Sequence, residues 1–241
     1  GPDLSIVLGN YNRHDAEVVA SRNVALVPNG IPDPRPDFEK DVLPIRLSQA
    51  AKRRAGEEYT FQVLYLGACY RPKGLFDLLE AIAIANEKLK GTPVDIRLVV
   101  AGTFSLKSEH TEFEHRVRQS DLINWVEYKG FVSGDEKRGL LRNSDCLCFP
   151  TYYEAESFGL VVIEAMAHGL PVIVNRNDIR IPTRHQPEPE DESRLLTLDA
   201  RLTAKLQCAR RVGQGPRLPR VADQFLNELA SDDCAQAGTA V

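Results

Sequence analysis

The chain has 241 residues, of which 43% are hydrophobic and 27% are charged, and its formal net charge is −4 at pH 7. This composition is that of a globular protein, and the length suffices for one large domain or two small ones. The negative net charge disfavours nucleic-acid binding, which normally needs a basic surface. No signal peptide is recognisable, and no apolar run approaches the roughly 20 residues that cross a bilayer. We therefore expect a cytoplasmic protein.

The cysteines and histidines give no sign of a metal site. The five cysteines form no C-x-x-C pair and no zinc spacing, and the five histidines do not cluster in the sequence. Cys69, Cys146 and Cys148 lie in apolar, strand-like segments, which favours reduced core residues. The glycine fingerprint G-x-G-x-x-G is also absent, which argues against an NAD-dependent dehydrogenase.

Short apolar runs alternate with helical patterns over residues 24–174. This alternation predicts parallel βαβ units, and hence an α/β fold with a Rossmann-like parallel sheet flanked by helices. The predicted strands cover residues 4–8, 24–27, 61–66, 95–101, 125–128, 145–149 and 171–174. The predicted helices cover residues 11–20, 38–54, 75–89, 109–120, 135–141 and 158–167. The first strand has no obvious partner, so we expect it to form an exposed edge.

Residues 175–241 do not continue this alternation. The segment after Val174 is polar and rich in proline, and weaker helical patterns follow at 195–212 and 221–229. We interpret 175–241 as a divergent, partly disordered C-terminal region, and a shifted reading frame is one hypothesis for its composition. Sequencing the source DNA through codon 175 tests that hypothesis.

The loop after the third predicted strand carries two cations and a glycine. Arg71, Lys73 and Gly74 lie between this strand and the helix at 75–89. A cationic loop that leads from a strand into a helix suits a diphosphate, because the N–H groups and the dipole at a helix start favour anions. A solvent-exposed loop whose charges serve solubility explains the same segment equally well when it is taken alone.

Two glutamates, Glu156 and Glu164, lie between the last two predicted strands. On a helix, two residues at this spacing lie within about 80° of each other around the axis. Both side chains can therefore face one cleft at the carboxyl end of a strand. In doubly wound sheets, ligands bind at that end. Glu164 is the one charge in an apolar helix, and glutamate is rarely buried without a partner. The alternative is a carboxylate that caps a loop or pairs with an arginine.

The segment Glu156-Ser-Phe-Gly-Leu-Val-Val-Ile-Glu164, followed by Ala-Met-Ala-His-Gly-Leu-Pro-Val-Ile, resembles the E-x7-E signature of family-4 retaining GT-B glycosyltransferases. The resemblance implies that Glu156 faces the donor sugar and that Glu164 binds the ribose of the nucleotide. It also implies that backbone N–H groups at the helix start contact the donor. The donor-binding positions in this segment are Ser157, Phe158, Gly159 and Leu160.

Two motifs nearer the start of the chain resemble the same family. Val-Pro-Asn-Gly-Ile at residues 27–31 is similar to the segment that leads into its second, donor-binding domain. Lys73-Gly74 matches the family's Lys-Gly at the diphosphate. Ala68 stands where the family usually has an arginine, which leaves Arg71 as the candidate substitute.

A third motif, Gly130-Phe131-Val132, resembles the corner that lies near the nucleotide base in this family. An ordinary turn that packs Phe131 into the protein is the alternative for these residues. His168 follows the helix on the side away from the cleft, so we expect a structural role for it.

The resemblance covers residues 3–174 and implies a domain organisation and an activity. It implies an acceptor-domain remnant and linker at 1–23 and a nucleotide-sugar-binding domain at 24–174, the C-terminal half of a GT-B fold. The implied reaction moves a sugar from a nucleoside diphosphate sugar to an acceptor hydroxyl with retention of configuration. An N-terminal domain, almost wholly missing here, would bind the acceptor, a glycan or a lipid-linked sugar. The parent enzyme would be cytoplasmic, with membrane association.

The implied catalytic residues are Glu156, Glu164 and Lys73, and the resemblance implies no metal or other cofactor. Lys73, Arg71 and backbone N–H groups would stabilise the leaving diphosphate electrostatically. Two alternatives stay open. One is a non-catalytic module that binds a nucleotide sugar, and the other is a different GT-B enzyme, such as a sugar-nucleotide epimerase or a phosphorylase.

Overall fold

The structure is a computed structural model, and it describes residues 1–9, 12–32, 38–119, 121–153 and 159–174. The strands in chain order are β1 Ser5–Val7, β2 Val24–Leu26, β3 Tyr59–Leu66, β4 Val94–Ala101, β5 Val126–Gly130, β6 Cys146–Phe149 and β7 Val172–Val174. The helices are α1 Arg13–Val18, α2 Leu43–Ala55, α3 Leu75–Leu89, α4 Lys107–Gln119, α5 Gly134–Asn143 and α6 Leu160–Ala167. The helical patterns predicted at 195–212 and 221–229, and the C-terminal region as a whole, lie outside the described residues.

Five strands form one parallel sheet in the order β5-β4-β3-β6-β7. Side chains alternate along β3, so that Val63 and Tyr65 face one core while Leu64 and Leu66 face the other. The first core packs under α3 and α4, and the second packs under α5 and α6. The predicted α/β fold, a Rossmann-like parallel sheet flanked by helices, is therefore confirmed.

The strand order reverses direction between β3 and β6, which are neighbours in the sheet although two strands separate them in the chain. Each helix that follows a parallel strand runs back across the sheet, so α3 and α6 both begin at the carboxyl edge. A switch point of this kind opens a crevice at that edge, and ligands of doubly wound folds bind there.

The first two strands form a separate small sheet. β1 pairs with β2 in parallel, with Ser5 opposite Val24 and Val7 opposite Leu26. The prediction that the first strand lacks a partner was wrong, because the chain returns through α1 and places a second apolar strand beside it. The predicted domain boundary at residue 24 therefore separates β1 from β2, although these two strands pair with each other.

Helix α2 shows how a proline is accommodated. The sequence predicted one helix over 38–54 with Pro44 inside it, whereas the structure has a π-helical turn at Phe38–Val42 and starts α2 at Leu43. Pro44 then lies in the first turn, where its missing N–H costs nothing. Gly56 ends the helix in the left-handed region, with a φ of +66°.

The buried thiols are core residues, as the sequence predicted. Cys69, Cys146 and Cys148 are buried thiols, and burial raises the pKa of the Cys69 thiol to about 12. Over the described ranges, no helix has the length and apolar character needed to cross a membrane.

Candidate functional site

The loops that follow β3 and β6 contact each other at the switch point. The Tyr152 N–H donates to the Pro72 carbonyl oxygen at 2.8 Å. Gly74 lies so close to Pro150 that an added Cβ would stand 2.3 Å from the Pro150 carbonyl oxygen, and its φ is +79°. Position 74 therefore requires glycine, because close backbone approach and a left-handed conformation coincide there.

Lys73 ends a 3₁₀ turn, Arg71–Lys73, immediately before α3. Its Nζ lies 4.8 Å from the centroid of the Tyr153 ring and 5.6 Å from that of Phe149, the last residue of β6. Cations are attracted to ring faces at such distances. The ammonium group thus sits at the carboxyl end of β6, in the crevice between the two loops.

Arg71 faces a different direction in this structure. Its Nη2 donates to Glu112 Oε2 on α4 at 2.5 Å, and its Cζ lies 4.4 Å from the centroid of the Phe76 ring. Its backbone N–H donates to Glu109 Oε1 at 3.2 Å. The hydrogen bond from Arg71 lowers the pKa of Glu112. The guanidinium is therefore held against α4, and its role as the substitute diphosphate cation stays a prediction.

Glu164 lies in the second turn of α6 and pairs with Lys137 in the first turn of α5. Lys137 Nζ donates to Glu164 Oε1 at 2.8 Å and lies 2.6 Å from Oε2. The two side chains are 29% and 22% exposed, and Glu164 Oε2 is a buried atom in contact with the Lys137 ammonium group. Glu164 thus has a basic partner, as the alternative interpretation proposed, but the partner is a lysine.

Sequence reasoning missed Lys137. The two residues are 27 positions apart, so no helical or strand spacing links them. A signal was nevertheless present, since an isolated charge in an apolar helix demands a partner and the preceding helix in a βαβ chain lies next to it.

The predicted base-binding corner lies at the end of β5. Gly130 has a φ of +69° and its carbonyl oxygen accepts a hydrogen bond from the Gly102 N–H at 2.7 Å. Phe131 is 74% exposed, whereas Val132 is buried in the second core. The alternative in which the turn packs Phe131 is wrong, because this ring faces solvent.

The start of α6 lies at the same edge of the sheet. Gly159 is buried and precedes the helix with a φ of +57°, and Leu160 is the first helical residue. The predicted residues Glu156, Ser157 and Phe158 lie outside the described residues. Their predicted roles therefore stay predictions.

His168 lies at the other end of α6. Its Nδ1 lies 2.8 Å from the Glu164 carbonyl oxygen, and its backbone N–H donates to the same atom at 3.2 Å. The ring thus caps the helix end at the amino edge of the sheet, away from the crevice, which agrees with the predicted structural role.

A buried polar network at the amino edge was not predicted. Asp145 Oδ1 accepts a hydrogen bond from Arg53 Nη1 at 2.9 Å and another from the Tyr59 hydroxyl, and Oδ2 accepts one from the Gln62 N–H at 2.8 Å. The Asp145 side chain is only 2% exposed, and burial raises its pKa. A perturbed pKa often marks a functional site, but this network lies at the edge opposite the crevice and ties α2 to the sheet.

Comparisons with known proteins agree with this arrangement. The chain is 31% identical over 113 residues to an uncharacterized glycosyltransferase of Methanocaldococcus jannaschii, and 32% identical over 117 residues to a phosphatidyl-myo-inositol mannosyltransferase of Mycobacterium leprae. These matches cover 47% and 48% of the chain. They cover only 26% and 28% of the two relatives, so the chain corresponds to a part of their length.

Two solved structures share the fold. WaaG, which is involved in lipopolysaccharide biosynthesis, matches 96% of the chain and 55% of its own length, with a TM-score of 0.64 and 18% identity. Anabaena HepE in complex with UDP and glucose matches 95% of the chain and 63% of its own length, with a TM-score of 0.54 and 15% identity.

The family model described as glycosyl transferases group 1 matches residues 48–180. This range extends from α2 through the five-stranded sheet and contains the crevice between β3 and β6. The chain therefore belongs to the glycosyl transferases group 1 family.

Proposed function

We propose that the chain binds a nucleoside diphosphate sugar in the crevice between β3 and β6, as the C-terminal, donor-binding half of a family-4 GT-B glycosyltransferase. One observation carries the proposal. The starts of α3 and α6 and the ammonium group of Lys73 converge at the topological switch point. Two helix N-termini and a lysine supply N–H donors and positive charge, which is what a diphosphate needs.

Each part of the donor has a proposed place along the carboxyl edge. The diphosphate binds Lys73 and the backbone at Gly159 and Leu160. The ribose binds Glu164, whose carboxylate is held by Lys137 and keeps lone pairs for ligand hydroxyls. The base lies against the corner that is formed by Gly130, Phe131 and Val132.

The donor sugar lies near Glu156, with Ser157 and Phe158 beside it. Arg71 reaches the diphosphate only if it leaves Glu112.

The proposed reaction is transfer of the sugar to an acceptor hydroxyl with retention of configuration. The leaving diphosphate carries the charge that develops, and fixed donors aimed at it stabilise that charge electrostatically. The leaving phosphate helps to accept the acceptor's proton on the same face of the sugar, so no covalent nucleophile and no metal are part of the proposal. Retention rests on the family resemblance, and NMR of the anomeric proton in the product tests it.

The acceptor is a glycan or a lipid-linked sugar, bound mainly by a domain other than this one, in the cytoplasm. The name of the phosphatidyl-myo-inositol mannosyltransferase of Mycobacterium leprae indicates a lipid-linked polyol acceptor for that relative, which supports a lipid-linked acceptor here. A second candidate function is nucleotide-sugar binding without transfer. Ala68 favours it, because the family usually has a cationic arginine there. Donor binding without transfer, even when the acceptor-binding domain is supplied, would select this candidate.

A thermal-shift panel tests the donor site. We expect UDP, GDP or ADP to raise the Tm of the chain by several degrees, because ligand at about 100 times its Kd adds about 2.7 kcal/mol to the folded state and each kcal/mol moves the Tm by about 2–4 °C in a chain of this size. Lys73→Met and Glu164→Gln should abolish most of the shift. Lys90→Met removes a lysine that pairs with Glu87 on the surface, and it should leave the shift intact.

No shift with any of the three nucleotides, from a chain that melts cooperatively, would contradict the proposed donor site. A shift that survives in both site variants would place the nucleotide elsewhere.

A further inference from the structure

Lys137 and Glu164 join α5 to α6 between two parts of the proposed donor site. Lys137 follows the corner at 130–132 by five residues, and Glu164 follows Gly159 by five residues. The ion pair therefore joins the helix that follows the predicted base corner to the helix whose start faces the proposed diphosphate position. In a nucleotide, the group between the base and the diphosphate is the ribose.

The pair offers donors and acceptors side by side. The Lys137 ammonium group donates to Glu164 Oε1 at 2.8 Å and lies 2.6 Å from Oε2, so it contacts both carboxylate oxygens. An ammonium group has three N–H donors, so these contacts use at most two of them, and each carboxylate oxygen keeps a further lone pair. A vicinal diol complements this arrangement, because each hydroxyl can donate to a carboxylate oxygen and accept from an ammonium group.

Folding stability alone does not explain the Lys137–Glu164 ion pair. Both side chains are partly exposed, at 29% and 22%, and pairs near the surface contribute little to folding. A carboxylate has about four lone-pair sites, and a single ammonium group does not occupy all of them. A ligand hydroxyl can donate to one of the remaining sites, so the pair keeps hydrogen-bonding capacity for a ligand.

We propose that Lys137 is a positioning and specificity residue for the ribose of the donor nucleotide. It holds the Glu164 carboxylate in place across the two helices and presents its own N–H groups beside Oε2. The pair thereby reads the 2′,3′-diol and discriminates ribonucleotides from 2′-deoxyribonucleotides. This inference rests on the proposed donor site, and the family resemblance assigns no role to position 137.

Titration calorimetry with UDP and 2′-deoxy-UDP tests it, or with the matching GDP or ADP pair if the thermal panel selects another base. We expect Lys137→Met to weaken UDP binding about tenfold to a hundredfold, the usual effect of losing a charge-assisted hydrogen bond. Binding of 2′-deoxy-UDP should weaken by a clearly smaller factor, because the 2′-hydroxyl and the lysine form one coupled interaction that this ligand lacks. Lys137→Arg keeps the charge and should recover most of the UDP affinity.

Each outcome has a distinct meaning. A loss that is equal for UDP and 2′-deoxy-UDP, or no loss for either, would overturn the ribose role of Lys137 while leaving the donor site in place. A wild-type chain that binds no nucleotide would overturn the donor site and this inference together. Lys90→Met is the matched control, since it removes a Lys–Glu pair at the far end of α3, and we expect it to bind both nucleotides as the wild type does.

Discussion

Replacing Asp145 by alanine should lower the free energy of unfolding by about 3–5 kcal/mol, because removal of one partner from a buried ion pair leaves the other partners uncompensated. Here the partners are the Arg53 guanidinium, which is 18% exposed, the Tyr59 hydroxyl and the Gln62 N–H. Helix α2 would lose its ion pair with the residue before β6, and the amino end of β3 would lose its hydrogen bonds to the same side chain. Urea unfolding followed by circular dichroism measures the change.

Asp135→Ala is the matched control for this prediction. Asp135 also pairs with an arginine, Arg138, but its side chain is 90% exposed. Exposed pairs contribute about 0–1 kcal/mol, so the control should unfold nearly as the wild type does. If Asp145→Ala is no more destabilising than Asp135→Ala, the network at the amino edge does not hold α2 to the sheet.

Gly74→Ala should be almost as damaging, and it should act on the site as well as on the fold. The new Cβ would stand 2.3 Å from the Pro150 carbonyl oxygen, in a residue whose φ is +79°. Overpacking costs about 1–3 kcal/mol and the left-handed conformation about 1–2 kcal/mol, so we expect a total of about 2–5 kcal/mol. The two loops must separate to admit the methyl group, which moves Lys73 and the start of α3.

Gly91→Ala separates conformational strain from the clash. Gly91 has a φ of +82°, but an added Cβ there would meet nothing within 4 Å. The control should therefore lose about 1–2 kcal/mol and retain nucleotide binding, whereas Gly74→Ala should lose both stability and binding. Equal losses in the two variants, measured by urea unfolding and by calorimetry, would mean that close contact of the loops is unimportant.

The sequence predicted the sheet well because its signals are local. The bounds of α3 agree with the prediction, since Phe76, Leu79 and Ile82 repeat at helical spacing and Gly74 stands at its start. The continuous apolar run of β4 likewise reflects a strand that is covered on both faces. The partner of β1 was missed, because strand pairing depends on the path of the chain rather than on any pattern within the strand.

The site was predicted less completely, because the partners of a side chain often come from elements that are distant in the sequence, and local patterns do not show them. Glu164 was singled out as an anomaly, but its partner Lys137 comes from another helix. Arg71 was assigned from its charge, whereas its direction is set by Glu112 and Phe76 on neighbouring helices. Asp145 has polar neighbours only after β3 and β6 are paired, so nothing in its own segment indicated a network.

Hydrogen exchange with and without saturating UDP, or whichever nucleotide the thermal panel selects, tests the central claim most directly. First-turn N–H groups of a helix lack intrahelical acceptors, so a bound diphosphate should slow their exchange. We predict protection at residues 75–76 and 160–161, at the starts of α3 and α6, and none at residues 56–58 and 143–145 on the amino edge. Protection confined to the amino edge or to the small sheet of β1 and β2, or none anywhere, would contradict a donor site at the switch point.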